Sequence, residues 1–307
     1  MEQTQKISLA RKGILLAVLA AALYALNSPL SKLLLAYMPS TLMAGFLYIG
    51  AGMGMGVIAL IRRCRGVART VERFDRSDLP YVLAMILLDI AAPILLLLGL
   101  SRTTAANASL LNNFEIVATA LIALAVFGEQ ISARLWAGIG FVTASCILLT
   151  LDGTGGWRFS SGSIFILLAC VCWGIENNCT RRLSAKDPLE IVLLKGIFSG
   201  LGSVVIGYVL GERVLRLWSI PAVLTVGFVA YGLSIFFYVY AQRLLGAART
   251  SAYYAVAPFI GTALSLLVFR QLPPYTYFIA LGVMIVGAWL CAADEPVFKR
   301  KKANKDR

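Results

Sequence analysis

Four charged side chains interrupt stretches that are otherwise apolar: Asp89, Glu115, Glu176 and Lys195. A charge at the middle of a bilayer costs at least about 2.5–3.5 kcal/mol on insertion scales. Such a residue must therefore meet water, a ligand or a polar partner. Ser109, Asn112, Glu115 and Thr119 recur at three- and four-residue spacing, which puts them on one stripe of a helix. Asn113 lies beside that stripe, Glu176 is followed by Asn177 and Asn178, and Asn27 is followed by Ser28. Interhelical hydrogen bonding accounts for some buried amides, but carboxylates and several amides at similar depth exceed what packing requires. Aromatic residues accompany them: Tyr231, Phe236, Phe237, Tyr238 and Tyr240, then Tyr253 and Tyr254. Carboxylates beside tyrosine rings suit a cationic or amphipathic solute, the carboxylate taking an amino group and the rings stacking on it. The expected substrate-binding residues are Asn27, Asp89, Asn112, Glu115, Glu176, Asn177, Tyr231, Tyr238 and Tyr254.

The chain has no histidine. Any proton coupling therefore falls to Asp89, Glu115 or Glu176. Asp89 has a second reading, because Pro93 frees the carbonyl near position 89 and a polar group there supports the kink. Lys195 either snorkels to the cytoplasm or pairs with Glu176 or Asp89. Six cysteines without histidine suggest small packing residues rather than a metal site, and neither metal nor cofactor is expected. No GxxxxGK[ST] loop is present, so ATP is not expected to drive the protein directly. HExxH, GxGD and Ser-His arrangements are also missing, which argues against an intramembrane enzyme.

The elements that carry these residues follow from composition. A chain of 307 residues, 59% hydrophobic and 14% charged, has too little polar surface for a soluble domain. Ten apolar stretches approach the roughly 20 residues that cross a bilayer as a helix: 13–35, 40–61, 79–100, 104–127, 133–151, 162–183, 189–210, 219–242, 248–269 and 274–293. The first is too long for a signal peptide and lacks a small-residue cleavage site. Glycines spaced by four at 50, 54 and at 52, 56 in the second span, and Gly196, Gly200, Ser203 and Gly207 in the seventh, form small-residue ridges suited to close helix contact.

The net charge of +13 is distributed as a topology signal. With the N-terminus in the cytoplasm, inside segments hold 21 Lys and Arg and outside loops six. That excess predicts both termini in the cytoplasm, with anionic lipid headgroups rather than nucleic acid as the partner of the basic residues.

The ten spans divide into five and five. Because five is odd, the second set enters from the opposite face, as in the inverted repeats that build alternating-access carriers. At an offset of 142 residues Phe127-Gly128-Glu129 falls on Phe269-Arg270-Gln271, Ser109 on Ser251, Asn112 on Tyr254 and Gly140 on Gly282. At an offset of 149, Tyr24 falls on Trp173, Asn27 on Glu176 and Lys32 on Arg181.

Four passages resemble the EamA-type family of the drug/metabolite transporter superfamily, over about residues 10–295. These are Tyr24-Ala25-Leu26-Asn27 with Lys32 and its counterpart Trp173-Gly174; Ala105 to Ala108 through Asn112 to Glu115; Phe127-Gly128-Glu129; and Ala257-Pro258. Ile116 stands where the family usually has proline, and the second half lacks the Gly-Glu pair. The resemblance implies an all-α membrane protein of ten helices, in two inverted repeats at 10–151 and 160–295, with a basic cytoplasmic tail at 296–307. It further implies a secondary transporter of the bacterial inner membrane, monomer or homodimer, exporting small metabolites such as amino acids. Spans 1, 3, 4, 6, 8 and 9 are expected to line its central cavity. The alternatives are a permease for drugs, nucleobases or sugar derivatives, and a channel.

Overall fold

The computed structural model describes residues 2–65, 74–127, 131–150, 160–183, 186–245, 250 and 253–292. Gly128, Glu129, Ser251 and the basic tail 296–307 lie outside the described residues. Every regular element among those described is helical: α1 (Glu2–Ala25), α2 (Asn27–Leu34), α3 (Ser40–Cys64), α4 (Leu79–Arg102), α5 (Ala105–Leu111), α6 (Phe114–Phe127), α7 (Ala133–Thr150), α8 (Ser161–Arg182), α9 (Pro188–Leu194), α10 (Gly200–Val209), α11 (Ser219–Val226), α12 (Ser234–Leu245), α13 (Ala257–Phe269) and α14 (Tyr275–Ala292). A short 3₁₀ turn, Arg76–Asp78, leads into α4. Two π-helical segments are inserted, Lys195–Ser199 between α9 and α10 and Gly227–Leu233 between α11 and α12.

Among the described residues, eight stretches are long and apolar enough to cross a bilayer: Arg11–Leu34, Ser40–Cys64, Arg76–Arg102, Ala105–Val126, Ala133–Thr150, Ser161–Thr180, Leu189–Val209 and Ser219–Tyr238. Two shorter apolar helices follow. The polarity is that of a protein in lipid. Large apolar side chains such as Leu15, Leu87, Val126 and Val209 point outward, while Asn27, Asp89, Asn113, Glu176 and Lys195 are buried.

Three expected spans are interrupted by turn residues. The first breaks at Leu26, because Pro29 has no N–H to give the carbonyl of Ala25. The fourth breaks at Asn112-Asn113, where Asn113, Glu115 and Ile116 bond three residues back rather than four. The Asn113 side-chain amide donates to the Leu110 carbonyl at 3.2 Å, the local competition that makes asparagine a poor helix-interior residue. In the ninth, residues 255–256 form a turn and the helix starts at Ala257 with Pro258 in its first turn. It ends at Arg270, which has φ +50. The ninth helix therefore has 13 residues and the tenth 18.

The helices pack in definite pairs: α4 along α8, α7 along α14, α1 along α12, α6 against α8, and α13 against both α1 and α5. Helix α3 is in contact with α10, α11 and both π segments. Its glycines explain how close that approach is. A Cβ on Gly50 would lie 2.1 Å from the Leu224 carbonyl oxygen, and one on Gly227 2.0 Å from that of Leu47. A Cβ on Gly196 would lie 2.4 Å from the Gly52 backbone. Backbone thus rests on backbone, as the small-residue ridges require. At one end, the Glu212 carboxylate accepts from the Leu42 amide at 2.8 Å and caps the start of α3.

Candidate substrate-binding site

Close contact between α3 and the first π segment brings Lys195 up to α4 and α8. Its ammonium lies 2.5 Å from Oε1 of Glu176 and 3.3 Å from Oδ2 of Asp89. The Tyr48 hydroxyl donates to the other Asp89 oxygen at 3.0 Å. The Thr180 hydroxyl, one helical turn beyond Glu176, donates to the same Oε1. Two carboxylates from two helices therefore hold one ammonium, with a hydroxyl on each carboxylate. The exposed fractions are 2% for Asp89, 3% for Glu176 and 9% for Lys195. A buried charge set of this kind persists only when paired and hydrogen-bonded.

Glu115 stands apart from that cluster. Asn177 Nδ2 donates to its Oε1 at 2.7 Å and also reaches the Thr119 hydroxyl at 3.3 Å. Asn178, the next residue, donates to the carbonyls of Thr119 and Gly174 and ties α8 to α6. Gly174 permits this, since a Cβ there would lie 2.7 Å from Ala118 Cβ. Among the described residues, no Lys or Arg lies within ion-pair distance of Glu115, and only Asn177 donates to its carboxylate. Glu115 and Asn177 are both half-buried.

Tyrosines lie between the two carboxylate groups. Tyr231 sits on the second π segment and receives Asn27 Nδ2 at 3.1 Å, while Ser31 donates to Asn27 Oδ1 at 2.9 Å. Its ring lies 5.9 Å from Tyr24 and 5.3 Å from Tyr48. Tyr254 lies 6.0 Å from Tyr24 and 4.8 Å from Tyr238. Glu115 is within electrostatic reach of the hydroxyls of Tyr24, Tyr231 and Tyr254.

Most of the residues singled out from the sequence thus fall into one connected region. Asn27, Tyr231, Tyr48 and Asp89 form a chain that ends on Lys195 and Glu176, while Tyr24, Tyr254 and Tyr238 continue toward Glu115 and Asn177. The fourth-span stripe is not continuous, because the break at Asn112 divides it. Ser109 faces Gly261 of α13, and Asn112 is buried against the Cys170 thiol, 4.0 Å from its side-chain oxygen. Only Glu115 and Thr119 share a partner. Lys195 pairs rather than snorkels. Asp89 faces Tyr48 and Lys195.

Sequence reasoning did not find Tyr48, and it used Tyr24 only as a mark of the repeat and of the family resemblance. Tyr48 lies among apolar and glycine residues of α3 with no polar neighbour in sequence. Its position three and four residues from Ala51 and Gly52, on the glycine-rich face, was the available signal.

An all-helical protein that exposes leucines and encloses carboxylates, an ammonium, amides and tyrosines is a polytopic membrane protein with a polar interior. The chain belongs to the EamA-like transporter family, whose model matches residues 11–151 and again residues 160–293. It is similar to an uncharacterized transporter of Methanothermobacter thermautotrophicus, 23% identical over 296 residues, which covers 91% of this chain and 85% of that protein. It is also similar to the uncharacterized inner membrane transporter YedA of Escherichia coli K12, 23% identical over 182 residues, 57% of this chain and 58% of YedA. A solved crystal structure superposes with a TM-score of 0.66 at 18% identity, over 91% of this chain and 95% of its own, a likeness of fold alone. Family membership implies a carrier of small molecules rather than an enzyme.

Proposed function

We propose that this protein is an inner-membrane secondary transporter that exports small amine-bearing metabolites, amino acids foremost, by alternating access. One observation carries the substrate class. Glu115 is a half-buried carboxylate with an amide on one oxygen, no Lys or Arg among the described residues in ion-pair contact, and Tyr24 and Tyr254 within electrostatic reach. An ammonium group seated there completes the charge balance, and ring faces cover its apolar part. Asn27, Tyr231 and Tyr238 shape the aromatic side of the pocket, and Asn112 sits at the helix break that precedes Glu115. Asp89 and Glu176 belong to the same region through Lys195.

Two repeats, 10–151 and 160–295, rock about this region, with 296–307 as a cytoplasmic tail. Support comes from the double family match and from the way helix contacts come in exchanged pairs. If spans are numbered in chain order and each is matched to the one five later, span 3 with 6 is the counterpart of span 8 with 1. Span 4 with 6 is the counterpart of span 9 with 1. The breaks at 112–113 and 255–256 fall at nearly equivalent positions. The charge bias supports both termini in the cytoplasm, and YedA's name supports the inner membrane.

The tyrosine rings also suit a flat neutral heterocycle such as a nucleobase, which would not need Glu115. Transport by Glu115→Gln protein in proteoliposomes separates the two. Loss of amine flux with normal folding supports the amine reading. Unchanged flux removes Glu115 from the site.

A further inference from the structure

The ion cluster at Asp89, Lys195 and Glu176 is built differently from the Glu115 region. Glu115 is half-buried with no described Lys or Arg in ion-pair contact, whereas all three members of the cluster are buried and ion-paired, Asp89 Oδ2 meeting the ammonium without a hydrogen bond. The chain places the ammonium there by two local devices. Lys195 is the first residue of the π segment Lys195–Ser199, the kind of helix insertion that is frequent at functional sites. Gly196, next in sequence, lets the span press onto α3, since any Cβ there would meet Gly52 and the Tyr48 carbonyl. The ammonium thus arrives beside Tyr48, whose hydroxyl fixes Asp89 Oδ1 and leaves Oδ2 for the cation.

The charge count gives this arrangement a consequence. Asp89 and Glu176 can carry up to two negative charges against one ammonium, and nothing else cationic among the described residues is in ion-pair contact with either. Without the lysine, two sealed carboxylates from α4 and α8 would face each other, and such a pair cannot stay doubly ionised unless a cation or proton joins it. The oxygens and hydroxyls around that position, from Asp89, Glu176, Tyr48 and Thr180, are hard donors of the kind that bind monovalent cations.

The geometry points to Lys195 as a tethered cation that permanently fills the place a coupling ion would otherwise take, so that the carrier completes its cycle without sodium or proton uptake at this site. This rests on the transporter reading above but not on the role given to Glu115. Flux then follows the substrate's own gradient or exchange.

The test needs no substrate. The full chain is melted in detergent in sodium chloride and in choline chloride at matched ionic strength, each at neutral and at mildly acid pH. A cation bound only by the folded state raises the melting temperature. Wild-type protein is expected to melt alike in sodium and choline. Lys195→Met is expected to melt roughly 2–4 °C or more higher in sodium, or at acid pH, than in neutral choline. The sodium and acid arms show whether a metal cation or a proton takes the vacated place. The double variant Lys195→Met with Glu176→Gln should lose most of that response, since one carboxylate is gone.

Lys195→Met that is recovered folded only with sodium or at acid pH also supports the proposal. A sodium effect on the wild type overturns it. So does a Lys195→Met protein that is indifferent to both cation and pH, or one that fails to fold under every condition, because a soluble cation should then have replaced the ammonium. Failure of amine transport, by contrast, would leave these melting patterns as they are.

Discussion

Replacing Glu115 by glutamine changes a charge and almost nothing else. The side chain keeps its size, and its remaining carbonyl oxygen still accepts from Asn177, now 2.7 Å from Oε1. Folding should therefore be little affected, and the loss falls on ligand binding. An ammonium about 4 Å from a carboxylate gains about 4 kcal/mol at an effective dielectric near 20. Desolvation of both groups offsets part of this, so a charged hydrogen bond nets about 1.5–3 kcal/mol. That corresponds to roughly a 10- to 150-fold rise in Kd. Ligand-induced stabilisation of purified protein is a suitable assay. An amine present at about 100 times its Kd stabilises the wild type by about 2.7 kcal/mol. For a variant binding about 100-fold more weakly, the same concentration gives about 0.4 kcal/mol. Equal stabilisation of both proteins by the amine would refute the assignment of Glu115 as the ammonium's partner.

Gly227→Ala should lower the melting temperature, because its Cβ would lie 2.0 Å from the Leu47 carbonyl oxygen and a backbone group cannot rotate aside. The cost expected for such overpacking is about 1–3 kcal/mol. Gly140→Ala, where a Cβ meets nothing within 4 Å, serves as the control and should be neutral or slightly stabilising. Cys64 is exposed at the end of α3, whereas the other five cysteines are buried or half-buried. A membrane-impermeant maleimide should label it in inverted vesicles and not in intact cells, and the opposite pattern would reverse the proposed orientation.

Much of the span pattern could be read from the chain, since twenty-residue apolar stretches bounded by charge need no tertiary information. The helix breaks were harder. Pro29 and the Asn112-Asn113 pair act on backbone hydrogen bonds inside apolar segments, where hydropathy is nearly blind. The site divides in the same way. Asp89, Glu115, Glu176 and Lys195 announce themselves by the cost of burying charge. Which of the two readings of Lys195 holds does not, because Lys195 meets Asp89 and Glu176 only after a π segment and the Gly52–Gly196 contact set the helix spacing. Tyr48 shows the limit most clearly. A tyrosine in an apolar helix reads as packing until the structure shows an aspartate 3.0 Å from its hydroxyl.

The most direct measurement is counterflow in proteoliposomes containing the full chain and preloaded with an unlabelled amino acid. Labelled amine-bearing solute should accumulate transiently against its own concentration, saturably, while the analogue lacking the amino group neither enters nor competes. Equal handling of the two solutes, or flux that never saturates, would contradict a carrier whose substrate amine sits on Glu115.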